Sequence, residues 1–115
     1  MPKTEPPPET RTESEVAGLF RLAADETRLK LLAVIAGAPG GAVCVSDLCA
    51  AVGQAQPAVS HHLALLRVSG VVESRRSGKR NLYSLLGPGR LLVAAARDMM
   101  AGGPQPGAQR RAAAV

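Results

Sequence analysis

Apolar residues recur at helical intervals in the first third of the chain. Thr12 and Glu15 fit a capping box, and apolar positions follow with the spacing of one helix face, namely Val16, Leu19, Phe20 and Ala23. Asp25 can cap a second helix, which is expected to stop in the glycine-rich segment 37–41. Its apolar positions are Leu29, Leu31, Leu32, Val34 and Ile35. The pattern therefore predicts two amphipathic helices.

A short β-prone piece, Val43 to Val45, precedes a third helix. Ser46 is the expected N-cap of this helix, which runs from Asp47 to Val52, and Gly53 is a natural left-handed stop. Cys49 then falls at the third helical position, where the helix dipole lowers the pKa of a thiol and raises its reactivity.

A fourth helix is predicted from Pro57, in its first turn, to about Arg67. At 100° per residue, one face is apolar and His62 lies at its edge. The apolar face consists of Val59, Leu63 and Leu66. The opposite face consists of Pro57, Ser60, His61 and Ala64. Two short helices joined by a tight turn, the second with a small and polar outer face, predict a helix-turn-helix.

The last part of the pattern is a hairpin followed by a helix. Val71 to Arg76 and Arg80 to Leu86 predict two strands with Gly78 at the tip. Arg90 to Ala101 predicts a final helix, with one face formed by Leu92, Ala95, Ala96 and Met99. The expected fold is mainly α with a small β-hairpin, a winged helix-turn-helix in the order α-α-β-α-α-β-β-α.

Composition divides the 115 residues into one domain with two tails. Residues 1–13 and 102–115 have no hydrophobic period and are expected to be disordered, which leaves 14–101 as the folded domain. The domain has a net charge of +4, and residues 67–80 alone also sum to +4. A basic patch this focused indicates a polyanion partner, although a solvated hairpin would have the same charge.

Several function classes are disfavoured. One Phe, one Tyr and no Trp leave little for stacking on single-stranded nucleic acid. No apolar run is long enough for a membrane span, and no secretory signal pattern opens the chain. Because two cysteines cannot make a disulfide framework, we expect a cytoplasmic protein. A thiol enzyme or metal carrier is the competing class. The sequence disfavours it because neither Cys has an acid–base partner nearby in sequence, and no phosphate-binding glycine loop or paired-carboxylate motif is present.

The stretch from Leu19 to Leu85 resembles the ArsR/SmtB family of winged-helix transcriptional repressors. The resemblance depends on four segments, which are Leu19 to Leu29, Gln56-Pro57-Ala58-Val59-Ser60-His61-His62-Leu63, Leu65 to Val72, and Arg75 to Leu85. It implies a homodimer formed by the first and last helices that binds double-stranded DNA at a near-palindromic operator. One departure is Ala55, where the family usually has an N-cap Ser, and the loss costs about 1 kcal/mol of helix stability.

The resemblance also implies DNA contacts, carried over position by position. Gln56, Ser60 and His61 match the base-edge contacts, with Pro57 beside them at the start of the helix. The expected phosphate or minor-groove contacts are Arg67, Arg76, Lys79 and Arg80. The alternative interpretation of His61 is a surface imidazole on the outer face of the helix, with no role in binding. His62 is expected beside the core.

Members of the family commonly sense a metal ion or metalloid, and arsenite-sensing members have a third cysteine where this chain has Ser46. Cys44 and Cys49 match the other two. Two thiolates suit Hg(II), Cu(I) or an organoarsenical, and the alternative is a third ligand from elsewhere in the protein. The alternatives are a redox switch, or two buried core cysteines in a repressor without a ligand. No cofactor is required. The family's other metal site uses Asp and His pairs on the last helix, where this chain has Asp98 and no histidine, so that site is disfavoured. A zinc finger is disfavoured because the adjacent histidines of one helix point in different directions.

Overall fold

The computed structural model describes residues 10–102, and its elements follow the predicted order of a winged helix-turn-helix. The helices are α1 (Glu13–Ala23), α2 (Glu26–Gly37), α3 (Val45–Val52), α4 (Gln56–Val68) and α5 (Gly87–Met100). The strands are β1 (Ala42–Cys44), β2 (Val72–Ser77) and β3 (Arg80–Leu85), and a 3-10 turn (Pro39–Gly41) follows α2. The expected tail residues 1–9 and 103–115 lie outside the described residues, and α1 begins at Glu13, one residue before the expected domain boundary.

The first two helices begin at the predicted caps. In α1 the Glu15 backbone N–H donates to Thr12 Oγ1 over 3.2 Å, and the Thr12 N–H donates to Glu15 Oε1 over 2.8 Å. The bond from the Thr12 backbone lowers the pKa of Glu15. In α2 the Arg28 N–H donates to Asp25 Oδ1 over 3.0 Å, and this bond lowers the pKa of Asp25. Both capping predictions are confirmed.

The start of α3 differs from the prediction. The helix begins at Val45, with extended Cys44 as its N-cap residue, and no side chain caps it. Ser46 is therefore inside the first turn, and its hydroxyl lies 3.3 Å from Cys44 Sγ instead of capping. The predicted N-cap at Ser46 is wrong, and Cys49 lies in the second turn, where the dipole effect has fallen off. Gly53 ends the helix with φ of 68°, as predicted.

The last helix begins three residues before Arg90. Proline is tolerated in a first helical turn, so Gly87 and Pro88 open α5 instead of preventing it. Gly89 is buried, and Val93 and Ala96 are the other buried residues of this helix. The predicted face covered only part of the surface that contacts the domain, because it omitted Val93.

The hairpin is joined by β1 in a three-stranded antiparallel sheet of order β1-β3-β2. Ser77 pairs with Arg80, so the turn has two residues. Within it only Gly78 has positive φ, at 62°, which is the pattern of a type II′ hairpin turn. The hairpin is thus confirmed, with β2 shifted by one residue at both ends and β3 ending one residue before the predicted Leu86.

The core lies between α2, the helix-turn-helix and the inner ends of the strands. The side chains with essentially no exposure are Leu31, Leu32, Ile35, Leu48, Val59, Leu63, Leu66, Val71 and Val72. All are aliphatic, as the composition requires, and they hold α4 against the domain along one face. Within residues 10–102, no helix is long and apolar enough to cross a membrane.

Candidate nucleic-acid interface

Helix α4 is divided into a buried face and an exposed face. Val59, Leu63 and Leu66 are 0% exposed, which confirms the predicted apolar face. The four residues expected to contact DNA from the start of α4 lie on the exposed side of its first two turns, namely Gln56, Pro57, Ser60 and His61. We call these four residues the recognition surface. The division leaves their side chains free to meet a ligand without disturbing the core.

The recognition surface begins at a helix end that no side chain caps. Ala55 is the N-cap residue, and only its carbonyl takes part, accepting from the N–H groups of Ala58 and Val59 over 3.1 Å. Pro57 in the first turn has no N–H to satisfy. The exposed N–H groups and the positive end of the helix dipole therefore point outward beside Gln56, which favours a nearby anion such as a phosphate.

His62 belongs to the interior side of α4 rather than to the recognition surface. It is half-buried, and its Nδ1 lies 3.2 Å from Nη1 of Arg28 in α2. His61, one position earlier, is exposed, and the two rings are tilted with centroids 6.1 Å apart. The neighbouring histidines thus have different environments, as their helical angles predict.

The hairpin of β2 and β3, which we call the wing, carries positive charge on both faces. Paired residues share a face of an antiparallel sheet, so Arg76 lies with its partner Asn81, while Arg75 and Arg80 lie on the opposite face. Lys79 occupies the turn. Arg75 was not among the expected contacts, and the register places it on the same face as Arg80.

The basic side chains of the interface are exposed and lack acidic partners. Arg67 lies at the end of α4, and Arg76 Nε donates to the Gly78 carbonyl over 3.3 Å, which bends the side chain over the turn. In the part of the chain that the structure describes, the one salt bridge joins Lys30 to Glu26, far from the wing in sequence. The charge of the wing is therefore not neutralised by carboxylates of the domain.

The two cysteines are free thiols, one directly before α3 and one in its second turn. Cys44 is buried in β1, and Cys49 is half-buried and contacts the core. Cys44 pairs with Leu82 in β3, and Leu82 pairs in turn with Arg75 of the wing. Among residues 10–102, no group of three or more His, Cys, Asp or Glu side chains is placed to hold a metal ion. Cys44 and Cys49 are the two sulfur donors of the segment 44–49.

Large apolar side chains are uncovered on α1 and α5. Phe20 is 55% exposed and Leu91 is 71% exposed, and they border a groove of about 290 Å³ between the two helices. Met99, 71% exposed, extends this surface towards the end of α5. We call this surface the α1/α5 face. Contiguous exposed apolar surface of this kind is characteristic of protein–protein contact sites.

Comparison with known proteins agrees with this architecture. A family model described as bacterial regulatory protein, arsR family, matches residues 25–74. The arsenical resistance operon repressor of Escherichia coli (strain K12) is 48% identical over 67 residues, which make up 58% of this chain and 56% of that protein. The chain thus spans little more than half the length of this relative.

Solved structures extend the similarity to most of the domain. The transcriptional repressor BigR from Xylella fastidiosa is 34% identical with a TM-score of 0.61, and the match covers 70% of this chain and 82% of that chain. The homodimeric winged helix-turn-helix DNA-binding domain of Mb0332 from Mycobacterium bovis, a possible ArsR-family transcriptional regulator, is 28% identical with a TM-score of 0.64. That match covers 76% of this chain and 82% of that chain.

These relatives are transcriptional regulators and not enzymes. The arrangement of helices and strands is shared with these solved structures. The chain belongs to the ArsR/SmtB family of winged-helix transcriptional regulators.

Proposed function

We propose that the chain is a transcriptional repressor that binds a near-palindromic operator as a homodimer. The observation that supports this most directly is the division of α4, whose polar side is exposed while its apolar side is fully buried. Gln56 bonds adenine through its amide, and Ser60 and His61 complete the set of base-edge contacts. The surface contains no paired acid and base that would suit catalysis.

The wing contributes binding energy without sequence information. Arg76, Lys79 and Arg80 contact phosphates or the flanking minor groove, and Arg67 contacts a phosphate from the end of α4. These cations are exposed and not ion-paired within the described residues, so they release counterions from DNA on binding. Affinity for any duplex therefore comes mainly from the wing, and preference for the operator comes from α4.

The homodimer joins two α1/α5 faces. Covering Phe20 and Leu91 removes apolar surface from water, which stabilises association. Support comes from the homodimeric winged helix-turn-helix structure of Mb0332. A two-fold axis through this interface presents two copies of α4 to successive major grooves of one duplex.

A thiol-binding effector releases the repressor from DNA. The E. coli relative is named as a repressor of an arsenical resistance operon. Here the donor set is Cys44 and Cys49, which fits a two-coordinate soft cation or an organoarsenical better than trivalent arsenic with three thiolates. Drawing the two sulfurs together displaces α3 relative to β1, and α3 packs directly on α4. Redox sensing and repression without an effector are the competing proposals.

The test is fluorescence anisotropy of the reduced chain on a duplex that it enriches from a random-sequence pool. Phenylarsenite, Hg(II) or arsenite is then added to the preformed complex, with Cys44→Ser/Cys49→Ser as the control. Release that depends on the cysteines supports the thiol effector. Release by hydrogen peroxide alone supports redox sensing. If none of these reagents releases the chain from DNA, the proposal of a thiol-binding effector is overturned. Failure to enrich any duplex overturns the repressor.

A further inference from the structure

The first turn of α2 is bonded to the helix-turn-helix through two side chains. Thr27 Oγ1 accepts a hydrogen bond from Gln54 Nε2 over 2.8 Å, and Arg28 Nη1 donates to His62 Nδ1 over 3.2 Å. Within residues 10–102, these are the two side-chain to side-chain hydrogen bonds that join residues more than 12 positions apart. Both are partly buried, where such bonds are less exposed to competition from water.

The two bonds reach either end of the recognition surface. Gln54 lies in the turn that joins α3 to α4, two residues before Gln56, and His62 directly follows His61. The start of α4 has no side-chain cap of its own, since Ala55 is the N-cap residue. The bond from Gln54 to Thr27 is therefore the side-chain contact that holds this end of the helix.

Apolar packing holds α4 against the domain, and hydrogen bonds add restraints that depend on direction. The contacts of Val59, Leu63 and Leu66 are fully buried and aliphatic, and the hydrophobic effect that drives them is non-directional. Hydrogen bonds depend on distance and angle. The bonds of Thr27 and Arg28 consequently restrain the roll and tilt of α4, which base recognition requires to be precise.

Arg28 is itself held in place. Its Nε donates to the Leu22 carbonyl over 2.7 Å, and its backbone N–H donates to Asp25 Oδ1 over 3.0 Å. Leu22 belongs to α1, which forms half of the α1/α5 face. The Arg28 guanidinium thus links α1, a helix of the proposed dimer interface, to α4. Because a guanidinium only donates, His62 Nδ1 must accept, and the neutral ring carries its proton on Nε2.

We propose that Thr27 and Arg28 form a clamp that positions α4, and that preference for the operator depends on this clamp. Neither residue touches DNA in this scheme. They act through Gln54 and His62, so their loss misplaces the recognition surface while leaving its side chains unchanged. The inference rests on the proposed function, in which α4 contacts base edges.

The test uses two pairs of matched variants. His62→Leu removes the acceptor for Arg28, whereas His62→Asn keeps an acceptor on Cγ, where Nδ1 is attached. Thr27→Val removes the hydroxyl with nearly the same shape, whereas Thr27→Ser keeps it. Each variant is measured for affinity to the enriched duplex and to a random duplex, alongside thermal unfolding. The Thr27 pair tests the clamp even if His62→Leu fails to fold.

We expect His62→Leu and Thr27→Val each to lower the ratio of operator to random affinity about tenfold, the scale of losing one hydrogen bond. Affinity for the random duplex stays unchanged, since the wing is intact. His62→Asn and Thr27→Ser retain most of the ratio. A structural role alone would instead lower the unfolding temperature and reduce both affinities together.

Other outcomes separate the clamp from the proposed function. If the wild-type chain prefers its operator and all four variants keep that preference, the clamp is overturned and the function stands. If the wild-type chain binds both duplexes equally, the function is overturned and the clamp with it. A neutral His62 ring with its proton on Nδ1, detected by ¹⁵N NMR of the free protein, also overturns the Arg28 half of the clamp.

Discussion

Gly89 in α5 lies so close to the main-chain carbonyl oxygen of Val71 that a Cβ atom at position 89 would overlap it. The same carbonyl accepts a hydrogen bond from the Leu86 N–H over 2.9 Å, so it is not free to move away. This contact brings the first turn of α5 directly against the segment between α4 and the wing. It links the last helix, which forms part of the α1/α5 face, to the DNA-contacting half of the domain.

Gly89→Ala is expected to destabilise the fold by about 1–3 kcal/mol, the usual cost of overpacking a filled site. Urea unfolding followed by circular dichroism measures the change. Gly87→Ala is the matched control, because a Cβ at position 87 meets nothing within 4 Å and alanine favours helix. Equal stability of the two variants would show that the backbone at Val71 yields easily.

Phe20→Glu or Leu91→Glu is expected to convert the dimer to a monomer, because each places a charge on the α1/α5 face. Analytical ultracentrifugation measures the mass, and operator affinity falls with the loss of the second recognition helix. Val68→Glu is the control, since Val68 is 81% exposed but lies at the end of α4, outside this face. A dimer that persists in both α1/α5 variants would place the interface elsewhere.

Gln56→Ala and His61→Ala are expected to relax specificity at particular base pairs, by about 1–3 kcal/mol each. Competition binding with single-base-pair variants of the enriched duplex identifies those positions. Affinity for a random duplex changes little, since each removed contact reads a base edge. A uniform loss across all sequences would instead make these residues phosphate contacts.

Arg76→Ala and Lys79→Ala are expected to weaken binding to all duplexes alike and to flatten its salt dependence. Each lost phosphate contact reduces the slope of log K against log salt by about 0.9. Lys30→Ala is the control, because Lys30 is exposed in α2 and paired with Glu26 rather than part of the wing. An unchanged slope in Arg76→Ala would remove that residue from the DNA contacts.

Stability is expected to fall in acid through the helix caps. The pKa of Asp25 is lowered by the bond from the Arg28 N–H, so its contribution is present above the ordinary value of 3.8 and is lost as pH falls through the folded-state pKa. Asp25→Asn keeps an uncharged acceptor at every pH. The free energy of unfolding, measured between about pH 5 and pH 2, should therefore depend less on pH in this variant. Identical pH profiles would contradict the cap's role.

Local chemistry explains why the sequence alone predicted so much of this fold. Capping at Thr12 and Asp25, the glycine stop at Gly53 and the hairpin turn at Gly78 depend on a few neighbouring residues. The exposed side of α4 follows from helical periodicity, so the positions of Gln56 and His61 were available from spacing. The start of α3 was predicted wrongly, because Ser46 met a local rule for capping, whereas the helix begins at Val45 and the Ser46 hydroxyl contacts Cys44 Sγ.

The tertiary structure decided which segments distant in the sequence contact one another. Periodicity does not reveal that Thr27 meets Gln54 or that Arg28 meets His62, because each pair depends on how α2 packs against the helix-turn-helix. The predicted last helix began at Arg90 and left Gly89 outside it, and the close approach of the Val71 carbonyl explains why a glycine is needed there. Sequence by itself thus determined the elements and the surface of α4, since these arise from neighbouring residues. The placement of that surface was decided by the packing of α4 on the rest of the domain, where these long-range contacts form.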